Sequence, residues 1–143
     1  MQSIERPPEE PPRHRLPLER EGVNHHVQIT STKEVEPGRN ELVRTDLYIV
    51  ANRYPDGSPA EVFARIDQAG SRVSCLVDAW CTAVSVALQH GLPLESFTSK
   101  VIGSSYEPSG PTTNPTIPYA KSPLDYIGRW LEEHFGIERE PVV

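Results

Sequence analysis

The chain has 143 residues, a formal net charge of −6, 36% hydrophobic residues, 15 prolines and two cysteines. That length fits one domain with a modest core. The negative balance argues against binding nucleic acid through its phosphates, which needs a basic face. The lack of a run of about 18 apolar residues or of an apolar leader in "MQSIERPPEEPP" predicts a soluble, cytoplasmic protein with no membrane partner.

Residues 1–21, "MQSIERPPEEPPRHRLPLERE", alternate proline with charge and have no face to bury. They are expected to form a disordered or extended arm, with docking on a partner as a polyproline segment the functional alternative. Residues 22–137 read as the domain and 138–143 as a tail. In "VNHHVQI", Val23, His25, Val27 and Ile29 alternate onto one face, a strand pattern. Pro37-Gly38 breaks the chain, and "ELVRTDLYIVANRY" gives a second strand. The turn composition of "YPDGSP" and the strand "AEVFARI" complete an antiparallel hairpin, whose edge "VNHHVQI" joins.

A helix follows in "SRVSCLVDAWCTAVSVALQHG". Val73, Leu76, Val77, Trp80, Val84, Ala87 and Leu88 make its stripe, and small or apolar residues opposite predict burial on more than one side, with Trp80 in the core. Cys75 and Cys81 project roughly 120° apart on that helix, which excludes a disulfide between them and predicts two buried thiols. "LPLESFTSKVIG" gives a short second helix. In "SSYEPSGPTTNPTIP" the prolines are expected to exclude regular structure. Then Ser122 supplies an N-cap, Pro123 the first helical position and Asp125 a first-turn carboxylate. Tyr126, Ile127, Trp130, Leu131 and Phe135 form the apolar stripe of that last helix. The fold class is therefore α+β: a small antiparallel sheet, hairpin plus edge strand, with two to three helices packed on one face.

Chemistry-bearing patterns are sparse. His25 and His26 are adjacent on a strand, so their rings point to opposite faces and cannot share one metal ion. Asp78 is expected at the helix rim. "GSSYEPSG" lacks the basic pattern of a phosphate loop, and no nucleophile elbow, Walker loop, dinucleotide fingerprint or zinc-protease motif occurs. No catalytic residue and no metal site is predicted. The long loop is the one candidate binding surface. It would present Tyr106 and Tyr119, with Glu107, Thr112, Thr113 and Asn114 as exposed polar contacts.

Three stretches occur in an order and spacing that resemble one family: "RHRLPLERE", "YPDGSPAEVFARIDQAGSRVSCLVDAWCTAVSVALQHGLPLE" and "YEPSGPTTNPTIPYAKSPLDYIGRWL". Together they are similar to the TSCPD domain near the C-terminus of adenosylcobalamin-dependent (class II) ribonucleotide reductases, over roughly Arg13 to Phe135. The name-giving motif is only echoed in "VSCLVD", so the resemblance assigns no role to Cys75. In such reductases a large barrel holds the radical cysteine, the redox cysteine pair and the cobalamin and substrate sites, and a cysteine pair at the chain end reloads the reducing equivalents. The resemblance thus implies kinship with the reductase while two cysteines leave this chain without catalysis of its own, and without a cofactor of its own.

The function expected is an accessory or regulatory binding module linked to deoxyribonucleotide synthesis, with a protein partner, a reductase subunit. The alternatives are a free-standing interaction module, borne by a phage or mobile element, and the small subunit of a split reductase.

Overall fold

A computed structural model describes residues 12–67 and 70–138; the first eleven residues, and all of the expected tail except Glu138, lie outside the described residues. The elements run β1 (Glu21–Glu36), β2 (Arg39–Arg53), β3 (Pro59–Asp67), α1 (Ser71–Gln89), α2 (Glu95–Val101), β4 (Gly110–Pro111), β5 (Tyr119–Ala120) and α3 (Pro123–His134). The first three strands form one antiparallel sheet with β2 in the centre, and β4 pairs with β5. The fold is α+β.

Period-2 patterning explains the sheet. Val27, Ile29 and Ser31 of β1, Leu47, Ile49 and Ala51 of β2, and Val62 and Ile66 of β3 all turn inward and are buried. Gly38 and Gly57 take positive φ, 82° and 91°, at the two hairpin turns. β1 and β2 outrun their neighbour: β3 pairing stops at Asp46↔Asp67, so the far ends continue as a two-stranded ribbon. Leu42 is 72% exposed there.

Both sheet edges are closed by side chains and loop. Along β3, the Ser85 hydroxyl of α1 bonds the Val62 backbone and Gln89 Nε2 donates to the Ala60 carbonyl at 3.2 Å. Along β1, Thr113 N donates to the Gln28 carbonyl at 3.1 Å, and Gln28 N donates to Thr113 Oγ1 at 3.0 Å. An isolated bridge joins Ile29 to Thr112. The loop lies so close that a Cβ on Gly110 would fall 1.9 Å from the Thr30 carbonyl oxygen. Unpaired edges invite foreign strands, and this sheet hides them.

α3 starts as its sequence demands. Ser122 Oγ accepts from Asp125 N at 2.9 Å, with Pro123 in the first turn. The Asp125 carboxylate, itself buried, accepts from Gly103 N at 2.7 Å and Lys121 N at 2.9 Å and pairs with Arg129 at 2.6 Å. It joins the end of α2 and the exit of β5 to α3. No helix among the described residues is long and apolar enough to cross a membrane.

Several expectations are corrected. α1 is buried on one side only, through Val77, Cys81, Val84, Ser85, Leu88 and Gln89. Leu76 is 49% exposed, Cys75 is exposed and Trp80 is only partly buried. The helix packs mainly on the edge strand β3, so only one stripe meets protein. The proline loop also holds two short strands, and Ile117 and Ala120 from it are core residues. Its prolines sit where backbone donors are not needed, which lets the intervening residues pair.

Over residues 12–20 the arm forms no helix or strand, bends at Leu18 and Glu19, and is tied to the module. His14 N donates to the Gln89 carbonyl at 2.8 Å, Arg13 Nε to Gln89 Oε1 at 2.6 Å, and Arg20 to Glu61 Oε1 at 2.6 Å. The Tyr54 hydroxyl donates to the His14 carbonyl.

Candidate functional site

The loop predicted to bind splits into two parts. Glu107 is exposed, preceding a cis bond to Pro108. Tyr106 is half-buried, and its hydroxyl accepts from Leu124 N at 3.3 Å in the first turn of α3. Thr112, Thr113 and Asn114 hold structure. Thr112 Oγ1 donates to the Ile117 carbonyl, Thr113 seals the β1 edge, and Asn114 Nδ2 donates to the Tyr126 hydroxyl at 2.9 Å. Tyr119 is 51% exposed. The six residues do not converge on one pocket.

Asn114 leads instead to an aromatic column that the sequence did not announce. Tyr126 is fully buried, and burial pushes its phenol up to about 12, so it stays protonated. The same phenol oxygen, which accepts from Asn114, lies 2.6 Å from His25 Nε2 in a hydrogen bond. His25 stacks on Trp130 (centroids 4.9 Å apart, planes at 17°), and Trp130 stacks in turn on His134 (5.1 Å, 3°). The Arg53 guanidinium, which can only donate, lies 3.1 Å from His134 Nε2. Desolvation is the main cause that lowers both histidines below their ordinary value, with His26 next for His25 and Arg53 next for His134. The column is a stacked seam between β1 and α3.

Among the described residues no helix packs on the opposite face of the sheet. Cross-strand register places His26, Tyr48 and Arg65 in one row and Asn24, Val50 and Phe63 in the next. His26 stacks on Tyr48 at 4.4 Å, and the Arg65 guanidinium lies 4.7 Å from the centre of the same ring. Asp46 Oδ1 accepts from Gln28 at 3.0 Å and meets His26 Nε2 at 2.8 Å; the His26 bond is the main cause holding its carboxyl below the usual range. Phe63 is 48% exposed beside a hollow of about 380 Å³. A rigid tyrosine flanked by a cation and an exposed phenylalanine suits contact with another protein surface. The signal was present as the outward half of each strand's alternation, but outward residues look alike in sequence whether a partner covers them or water does.

The cysteines offer no redox pair. Cys81 is buried and its thiol is pushed up to about 12 by desolvation first and Asp78 second, whereas Cys75 is exposed. Among the described residues no group of three or more His, Cys, Asp or Glu is placed to hold a metal ion.

A family model described as the TSCPD domain matches residues 15–135. A vitamin B12-dependent ribonucleotide reductase of Rhodopirellula baltica is 34% identical over 131 residues, covering 92% of this chain and 11% of the relative. Proteins of the same description from Streptomyces coelicolor and Streptantibioticus cattleyicolor are each 36% identical over 125 residues. They cover 87% of this chain, and 12% and 19% of the relatives. The chain therefore spans only 11% to 19% of the length of these relatives. No solved structure matches it.

Proposed function

The chain belongs to the TSCPD domain family, and from that we propose that it is an accessory or regulatory binding module of a B12-dependent ribonucleotide reductase, linked to cytoplasmic deoxyribonucleotide synthesis and not catalytic alone. The observation that carries this reading is the match over residues 15–135, nearly the whole described chain, to a piece of such enzymes. Cysteine chemistry supports the non-catalytic half. Radical and redox thiol steps need accessible, paired sulfurs, and here one of two thiols is buried on a different side of α1 from the other.

The relatives are described as vitamin B12-dependent. A corrin with its side chains needs a site beyond the roughly 300–1,000 Å³ of ordinary ligand pockets, and the groove lined by Tyr54 and Phe135 holds about 690 Å³. Three of the five imidazoles, His25, His26 and His134, already spend Nε2 on Tyr126, Asp46 and Arg53. The described residues do not fit the group, and no step is routed through it.

The partner contact falls on the bare sheet face, where Val50, Phe63 and Tyr48 would be covered. The test is capture of the tagged chain from its host with identification of bound proteins, repeated with Phe63→Asp. A ribonucleotide reductase held by the wild type and lost from the variant supports the reading. Capture without any reductase, or deoxynucleotide formation by the pure chain, overturns it. Turnover that appears only on mixing chain and partner would instead mark the small subunit of a split enzyme.

A further inference from the structure

We propose that the groove between the N-terminal arm and the end of α3 is a docking site for an arginine-bearing, proline-rich segment of a partner protein. It lies apart from the bare sheet face, so its failure would leave the reductase reading intact. The groove has a volume of about 690 Å³. Tyr54 and Phe135 supply aromatic walls, with Pro55, Pro59 and Pro93 between them and Leu92 half-exposed at the floor. Aromatic and proline walls of this kind receive polyproline II helices, whose preformed shape loses little entropy on binding.

Charge narrows the occupant. Asp56 and Glu95 line the groove, and among the described residues no lysine or arginine lines it. Asp56 Oδ1 accepts from Ser58 N at 2.9 Å and Ser58 Oγ at 2.6 Å, bonds that favour its ionised form and keep it a carboxylate. Two carboxylates among the lining residues favour a basic ligand, and arginine is the side chain that forks onto a carboxylate.

The arm already shows how such a segment is held. Pro12 to Pro17 is a proline-bounded stretch outside any helix or strand, and its His14 lines the groove. Its His14 amide donates to the Gln89 carbonyl, its His14 carbonyl accepts from the Tyr54 hydroxyl, and Arg13 reaches Gln89 Oε1. Backbone bonds outside any sheet, plus an arginine on a side-chain oxygen, are the contacts a second proline-rich strand alongside would repeat.

The experiment is a titration of the isotope-labelled full chain, read by amide chemical shifts, with the synthetic peptide Ala-Pro-Pro-Arg-Pro-Leu-Pro-Arg and its twin with both arginines replaced by glutamate. The expected result is saturable shifts at Tyr54, Leu92 and Glu95, with the glutamate twin about tenfold weaker or worse, and Asp56→Ala with Glu95→Gln weakening the arginine peptide by a similar factor. Equal binding of the twins, or no saturable shift at millimolar peptide, overturns the proposal. The competing occupant is the chain's own proline-rich start. If the wild type is silent while the variant Pro7→Gly, Pro8→Gly, Pro11→Gly binds the peptide, the groove belongs to that segment, and the partner assignment is overturned.

Discussion

Ser85 holds Val62 by both of its backbone polar groups: its hydroxyl accepts from Val62 N at 2.9 Å and donates to the Val62 carbonyl at 3.0 Å. One side chain on α1 thus replaces the missing neighbour of an edge strand. Removing it strands two buried backbone groups at once, each worth about 1–3 kcal/mol unsatisfied. Ser85→Ala is expected to cost about 2–4 kcal/mol in urea unfolding, far more than an ordinary helix Ser→Ala change, because alanine is otherwise the better helix former.

The two tryptophans differ sharply in burial. Trp130 is 7% exposed within the histidine column, whereas Trp80 only flanks the core. Trp130→Ala should cost about 3–5 kcal/mol, near the whole stability of a small domain. Trp80→Ala should cost less than half of that. Melting curves of the two variants check the ranking, and equal losses would mean that α1 packs more deeply than its one-sided burial indicates.

Acid should loosen the seam between β1 and α3. His25 faces the Tyr126 hydroxyl and Trp130, with Glu133 and His26 nearby, and His134 faces Arg53, Trp130 and Phe135. Both imidazoles sit below their ordinary value in the fold, so the unfolded chain takes up protons first as pH falls. Their contribution is complete above about pH 6.5, the unfolded value, and is lost as pH drops through the lower folded values. The melting temperature should therefore decline between about pH 7 and pH 5, a window above the range where carboxylates titrate. In the variant His25→Phe, His134→Phe, which keeps flat rings on Trp130, that slope should flatten.

The loop separates structure from surface residue by residue. Glu107→Ala should leave the melting temperature within experimental error, since the side chain is exposed. Replacing Thr112, Thr113 and Asn114 together by alanine removes the bonds to the Ile117 carbonyl, the Gln28 amide and the Tyr126 hydroxyl. At about 1 kcal/mol per bond, the triple variant should lose about 2–4 kcal/mol. Intact stability in that variant would return these residues to a purely surface role.

What the sequence alone determined is whatever depends on near neighbours. Alternation in "VNHHVQI" assigned faces correctly, with His25 and His26 on opposite sides, and Ser122-Pro123 with Asp125 placed the start of α3 to the residue. The order of three stretches was enough to identify the family. Tertiary structure decided the rest, because burial is a property of the surroundings. The apolar residues of α1 form a broad band, and only its position over an edge strand left Leu76 and Cys75 facing outward. Thr113 and Asn114 read as polar loop residues, yet their partners, Gln28 and Tyr126, stand 85 and 12 residues away in sequence. A hydroxyl or amide looks the same in sequence whether it meets water or a buried backbone group. The fold chooses between them, since each buried donor must find its acceptor wherever the chain has brought one.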